Sequence, residues 1–146
     1  MGTQQILLIV LSVIIVGAAI AVGITMFNNQ SYNSNKTALA AEAQNYASQV
    51  VQYYKTPLSQ GGAGGTIAEA DTTKIGQFIG WGAGFTNTET GVFKIKTVTP
   101  TSVMIEGYGK EAKGTSAKYP KLQTTITFPK GTIATTLTDE ARPAGY

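Results

Sequence analysis

Residues 6–27 read ILLIVLSVIIVGAAIAVGITMF, and no Asp, Glu, Lys or Arg precedes Lys36. The only hydroxyls in this stretch are Ser12 and Thr25. As a helix rising 1.5 Å per residue it spans about 33 Å, enough to cross a bilayer. Each hydroxyl can bond back to a carbonyl one turn earlier, which leaves no polar group stranded in hydrocarbon. Four readings follow. A permanent single-pass anchor is the plainest. A cleaved signal peptide would need a positive n-region, which residues 1–5 lack, and a shorter apolar core. A buried helix of a soluble domain would need more chain than follows here to wrap a segment apolar on every face. The fourth is a helix that first sits in a membrane and later packs against copies of itself.

Working outward, an uncharged polar patch at 28–35 leads into KTALAAEAQNYASQVVQYYK at 36–55. Leu39, Ala43, Tyr46, Ala47, Val50, Tyr53 and Tyr54 recur at intervals of three and four, the stripe of an amphipathic helix, while Glu42, Gln44, Gln49 and Gln52 fall off it. No proline precedes Pro57. One helix from about Thr3 to Lys55, roughly 80 Å long, is therefore predicted, with any irregularity falling between Gly17 and Gly23. Its first half is apolar all round and its second half on one side only. The first half thus needs a hydrophobic surrounding and the second a partner domain, which favours the fourth reading.

Beyond Pro57, the glycines of 60–65 read as a flexible loop without the Lys-Ser or Lys-Thr of a phosphate site. In GQFIGWGAGF at 76–85, Trp81 and the two phenylalanines read as core plugs of a small β domain. Strands are predicted at 91–99, 101–108 and 122–128, with a shorter, weaker one at 132–138; Pro100 and Thr101 make a hairpin between the first two. No helical pattern separates them, so the sheet should be antiparallel, one face on the helix and a lysine- and threonine-rich face outward. The fold class is α+β, divided as 1–27 apolar half-helix, 28–56 amphipathic continuation, and 57–146 glycine-rich loop and β domain.

Composition narrows the function. The 146 residues include no cysteine and no histidine, and 13% are charged. Disulfides, zinc-thiolate sites, thiol nucleophiles and Ser-His-Asp relays are excluded. Glu69 with Asp71, Glu106, Glu111 and the Asp139-Glu140 pair read as solvated surface, not as acid–base pairs. No cofactor, metal or enzymatic activity is expected. The net charge of +3 comes from scattered lysines, so no nucleic-acid face is expected either. Asn35-Lys36-Thr37 is a glycosylation sequon.

An uncharged helix starting almost at residue 1, its amphipathic continuation to Lys55, and a glycine-rich loop leading to a small antiparallel sheet together resemble the type IV pilins and the related pseudopilins. The resemblance covers the whole architecture; motif-level similarity is confined to about the first 27 residues. It implies a subunit held in the inner membrane by its apolar half-helix, extracted by an assembly machinery, and stacked into an extracellular filament on the cell surface. The subunit contacts would then come from Gln5, Ile6, Leu7, Ile9, Val10, Leu11, Val13, Ile14, Val16, Gly17, Ile20, Gly23, Ile24 and Phe27. The partners would be other copies of the chain, inner-membrane lipid before assembly, and the machinery itself.

The sequence departs from that family in several ways. Gly2 directly follows Met1 without a basic leader, so either Met1 is the mature start or processing differs. Gln5 stands where the family carries a glutamate that neutralises a neighbour's amine. An amide accepts a hydrogen bond but cannot cancel a charge, and burying an uncompensated charge is costly. The helix-softening proline and the C-terminal cysteine pair are missing. Two rival readings remain: a single-pass anchored envelope protein whose β domain binds a ligand, and a minor pseudopilin of a secretion system.

Overall fold

The computed structural model describes residues 2–68 and 71–146. Helix α1 (Gly2–Lys55) is one continuous element, as expected, helical through Gly17 to Gly23 and without a break across 28–35. A 3-10 turn (Leu58–Gln60), a short helix α2 (Thr72–Phe78) and five strands follow: β1 (Phe85–Asn87), β2 (Gly91–Thr99), β3 (Ser102–Gly109), β4 (Lys118–Thr127) and β5 (Thr132–Ala141). The strands form one antiparallel meander in the order β1-β2-β3-β4-β5. The arrangement is α+β, a long N-terminal apolar helix whose second half packs on a small sheet.

The predicted stripe lies in the core. Leu39, Ala43, Ala47, Val50 and Tyr53 are buried against Phe93, Ile95, Val103, Ile105, Leu122 and Ile126 on the inner face of the sheet. The stripe starts earlier than its periodicity suggested, because Tyr32, seven residues before Leu39, is also buried and donates its hydroxyl to Asp139. A residue expected in the polar patch therefore belongs to the head. Gln44 reaches Thr135 at 2.9 Å, and Glu42 accepts from Thr88 at 2.8 Å and Thr90 at 2.7 Å, so polar side chains beside the stripe also hold the helix.

The glycine run does not behave as a flexible loop. It curls back over the end of α1, where the amides of Ala63, Gly64 and Gly65 each reach a carbonyl at 2.9 Å, on Tyr53, Thr56 and Tyr54 respectively. The last helical carbonyls would otherwise lack partners. Gly64 and Gly65 take positive φ to do so, and a side chain at Gly62 would collide with the Thr56 carbonyl. Glycine is what this cap requires.

Three strand expectations are corrected. The alternation of β2 changes phase at a bulge between Ile95 and Thr97. Val98, which strict alternation from Phe93 would put outside with the lysines, is thereby turned into the core. Strand β4 begins at Lys118, four residues before the predicted start, and β5 is as long as β4 and pairs with it from Thr132 to Ala141. Strand β5 is an edge with only one neighbour, so threonine and alanine suffice where an inner strand would need larger apolar residues.

The glycine and aromatic patch divides. Trp81 is a core plug, edge-on to Tyr46 at 4.8 Å. Phe78 and Phe85 are not, at 37% and 54% exposed. Phe78 ends α2, an element the glycines disguised, and leans on Tyr53 with ring centroids 5.3 Å apart. Helix α2 buries Ile75 and Gly76; a Cβ at Gly76 would sit 3.0 Å from the Trp81 carbonyl, so its glycine lets helix and loop approach.

Candidate functional site

Every residue from Gln5 to Phe27 is exposed. The large apolar side chains among them, Ile6, Leu7, Ile9, Val10, Leu11, Val13, Ile14, Val16, Ile20, Ile24 and Phe27 included, lie between 50% and 74% exposed. Within this helix is an 18-residue window of mean hydropathy 3.0, none of it buried. Each such side chain gains about 1.5–3 kcal/mol on full burial, so the stretch as a whole carries tens of kcal/mol of unsatisfied transfer energy. Soluble monomers rarely expose apolar patches above a few hundred Å². Ser12 donates to the Ile9 carbonyl at 2.8 Å and Thr25 to the Ala21 carbonyl at 2.6 Å, so both hydroxyls are satisfied inside the helix. At Gly17 and Gly23 an added Cβ would touch nothing, which makes both positions open notches on the surface.

Three carboxylates of the head, Glu106, Asp71 and Asp139, do not follow the surface reading. Glu106 points away from α1 yet is only 3% exposed. One carboxylate oxygen accepts from Lys96 at 2.8 Å and Gln123 at 2.8 Å and lies 3.2 Å from the Lys121 ammonium; the other accepts from the Tyr146 hydroxyl at 2.6 Å. Burial works to raise its pKa, but these four donors outweigh it and hold the carboxyl down at about 2. Tyr146 also packs edge-on against Tyr108 at 4.6 Å, and the Arg142 guanidinium donates to the Tyr146 carbonyl oxygen at 2.8 Å. The last residues thus cover part of a sheet face expected to be open.

Asp71 is likewise mostly buried. It accepts from the Ala68 amide at 2.8 Å and pairs with Lys74 at 2.9 Å, and these bonds lower its pKa. Glu69 lies outside the described residues. Asp139 accepts from Tyr32 and pairs with Lys113 at 3.1 Å and Lys36 at 3.8 Å; the Tyr32 bond is the main cause of its lowered pKa. Desolvation, then the same hydrogen bond, pushes Tyr32 up to about 12. Glu111 is exposed, as expected, and Glu140 is half exposed beside Lys121 at 2.6 Å. The Asn35 sequon is also altered by context, since its amide lies within α1 and already donates to the Thr90 carbonyl at 2.7 Å.

The clusters around Glu106 and Asp139 escaped a sequence reading because their members are scattered along the chain: different strands and Tyr146 for Glu106, helix α1 and the loop after β3 for Asp139. The one available signal was Glu106 itself, a carboxylate between the strongly apolar Ile105 and the Gly107–Tyr108 pair. No protein-family profile, curated protein or solved structure matches this chain.

Proposed function

We propose that the chain is a structural subunit of an extracellular helical filament of the type IV pilus kind, without catalytic activity. It polymerises through residues 6–27 and waits in inner-membrane lipid until an assembly machinery extracts it. The observation that carries this reading is the union, in one unbroken helix, of a fully exposed apolar half and a half fixed in a folded head. Such a helix has two suitable environments, lipid and a bundle of its own copies, and the transfer from one to the other keeps the apolar surface out of water. Saturation of Asp71, Glu106 and Asp139 by donors supports a structural role for these carboxylates, since groups held ionised in this way are poor proton shuttles near neutral pH.

The test is expression of the full chain with a pilus assembly machinery, followed by negative-stain imaging of material sheared from the cells. Filaments are expected from the wild type. Ile14→Asp costs roughly 3 kcal/mol on insertion scales and should lose both membrane retention and filaments. Gly17→Leu keeps the segment apolar and meets nothing within the subunit, so it should insert normally yet assemble poorly, because small residues permit close helix approach. A wild type that stays in the membrane as a monomer under these conditions refutes the filament and returns the anchored-protein reading.

A further inference from the structure

Each end of the packed half of α1 presents charged side chains without a partner in the subunit. Where α1 enters the head, a groove of about 440 Å³ opens between the helix and the loops that precede β2 and follow β3. Phe27, 74% exposed, lines it together with Glu89 and Glu111. Both glutamates are exposed, and among the described residues they alone of the carboxylates lack a side-chain partner; every other described acid holds a lysine or threonine. Lys110 and Lys118, likewise without an acidic partner among the described residues, stand at this end too but do not line the groove.

At the far end of α1, Lys55 and Lys130 are exposed and have no acidic partner among the described residues. The two lysines share one corner of the head. A Cβ at Gly131 would lie 3.0 Å from Val51, and Lys55 is one helical turn beyond Val51 on the same face. One end thus offers a notch with an apolar side chain and two free anions, and the other a knob with two free cations. From Asn35 at the groove to Lys55 is about 30 Å of helix, so knob and notch cannot meet within one subunit.

We propose that the Glu89–Glu111 groove at the base of one head receives the Lys55–Lys130 corner of a second copy. The contact rests on the filament reading and adds a second surface to it, outside the apolar half-helix. Being head-to-tail, it is a heterologous contact of the kind that propagates into a helical polymer without closing. Single exposed ion pairs are weak, but this one recurs at every subunit and is sensitive to salt.

The experiment is zero-length carbodiimide cross-linking of assembled wild-type filaments, followed by peptide mass spectrometry. Amide links joining Lys55 or Lys130 to Glu89 or Glu111 are expected; the 30 Å separation makes any such link intersubunit. Filaments whose links include only pairs already formed within a subunit, such as Lys96 with Glu106, overturn the proposal while leaving the filament reading intact. Absence of wild-type filaments overturns both. As a second arm, Lys55→Glu with Lys130→Glu should lower filament yield at least tenfold. Adding Glu89→Lys and Glu111→Lys to the same chain should restore it. A fourfold variant as defective as the double one counts against the pairing.

Discussion

Replacing Glu106 by glutamine removes a charge while keeping nearly every hydrogen bond. The amide oxygen can occupy the position that receives Lys96, Gln123 and Lys121, and the amide nitrogen can face the Tyr146 hydroxyl, which is free to rotate and accept. The loss therefore isolates the worth of the ionised form. The folded-state pKa is about 2 against an ordinary 4.5. At about 1.4 kcal/mol per unit, that depression corresponds to roughly 3 kcal/mol of stability. The sign follows from the direction of the shift. A carboxyl whose pKa falls on folding stabilises the native state above its unfolded value, and the contribution fades as pH drops from about 4.5 towards about 2. The assay is denaturant unfolding of the detergent-solubilised full chain, wild type and Glu106→Gln, at pH 7, 4 and 2. The variant should be less stable by about 3 kcal/mol at pH 7, by less at pH 4, and by almost nothing at pH 2. A deficit below about 1 kcal/mol at pH 7, or one that does not change with pH, would refute the claim that four converging donors hold this anion.

The two halves of α1 should answer truncation differently. Leu39→Ala, at a fully buried site, should destabilise the head by about 2–5 kcal/mol in the same unfolding assay, whereas Ile14→Ala should leave that transition unchanged and reduce assembly instead. Gly91→Ala should be among the harshest small substitutions, costing about 1–3 kcal/mol, because its Cβ would press on the Tyr108 carbonyl and on Leu39 Cδ1 at 2.8 Å. Thermal melts of the solubilised chain will show this. Deleting residues 1–27 should give a head that is monomeric in gel filtration without detergent and keeps a cooperative melt, since Leu39 to Tyr54 still have the sheet over them. Aggregation of that fragment would mean the apolar half-helix contributes to the fold of the head.

What the sequence by itself determined is what local periodicity and composition encode. An uninterrupted apolar run, a stripe at intervals of three and four, and two strands alternating across a short hairpin each express their burial in the residues of one segment, so helix, core stripe and antiparallel sheet were legible without coordinates, whereas the short β1 was not. The chemistry of the apolar half-helix was legible for the same reason, because a segment apolar on every face needs no tertiary partner to be recognised. The tertiary structure alone decided the rest. Whether Glu106 faces water depends on lysines, a glutamine and a tyrosine 10 to 40 residues away in the chain, and charge pairing of that range leaves no local pattern. The bulge that turns Val98 inward, the glycines that cap α1, and the length of β5 likewise follow from what the backbone meets across space. Glycine and threonine report backbone demands and edge positions, and those exist only once the neighbouring strand or helix end is in place.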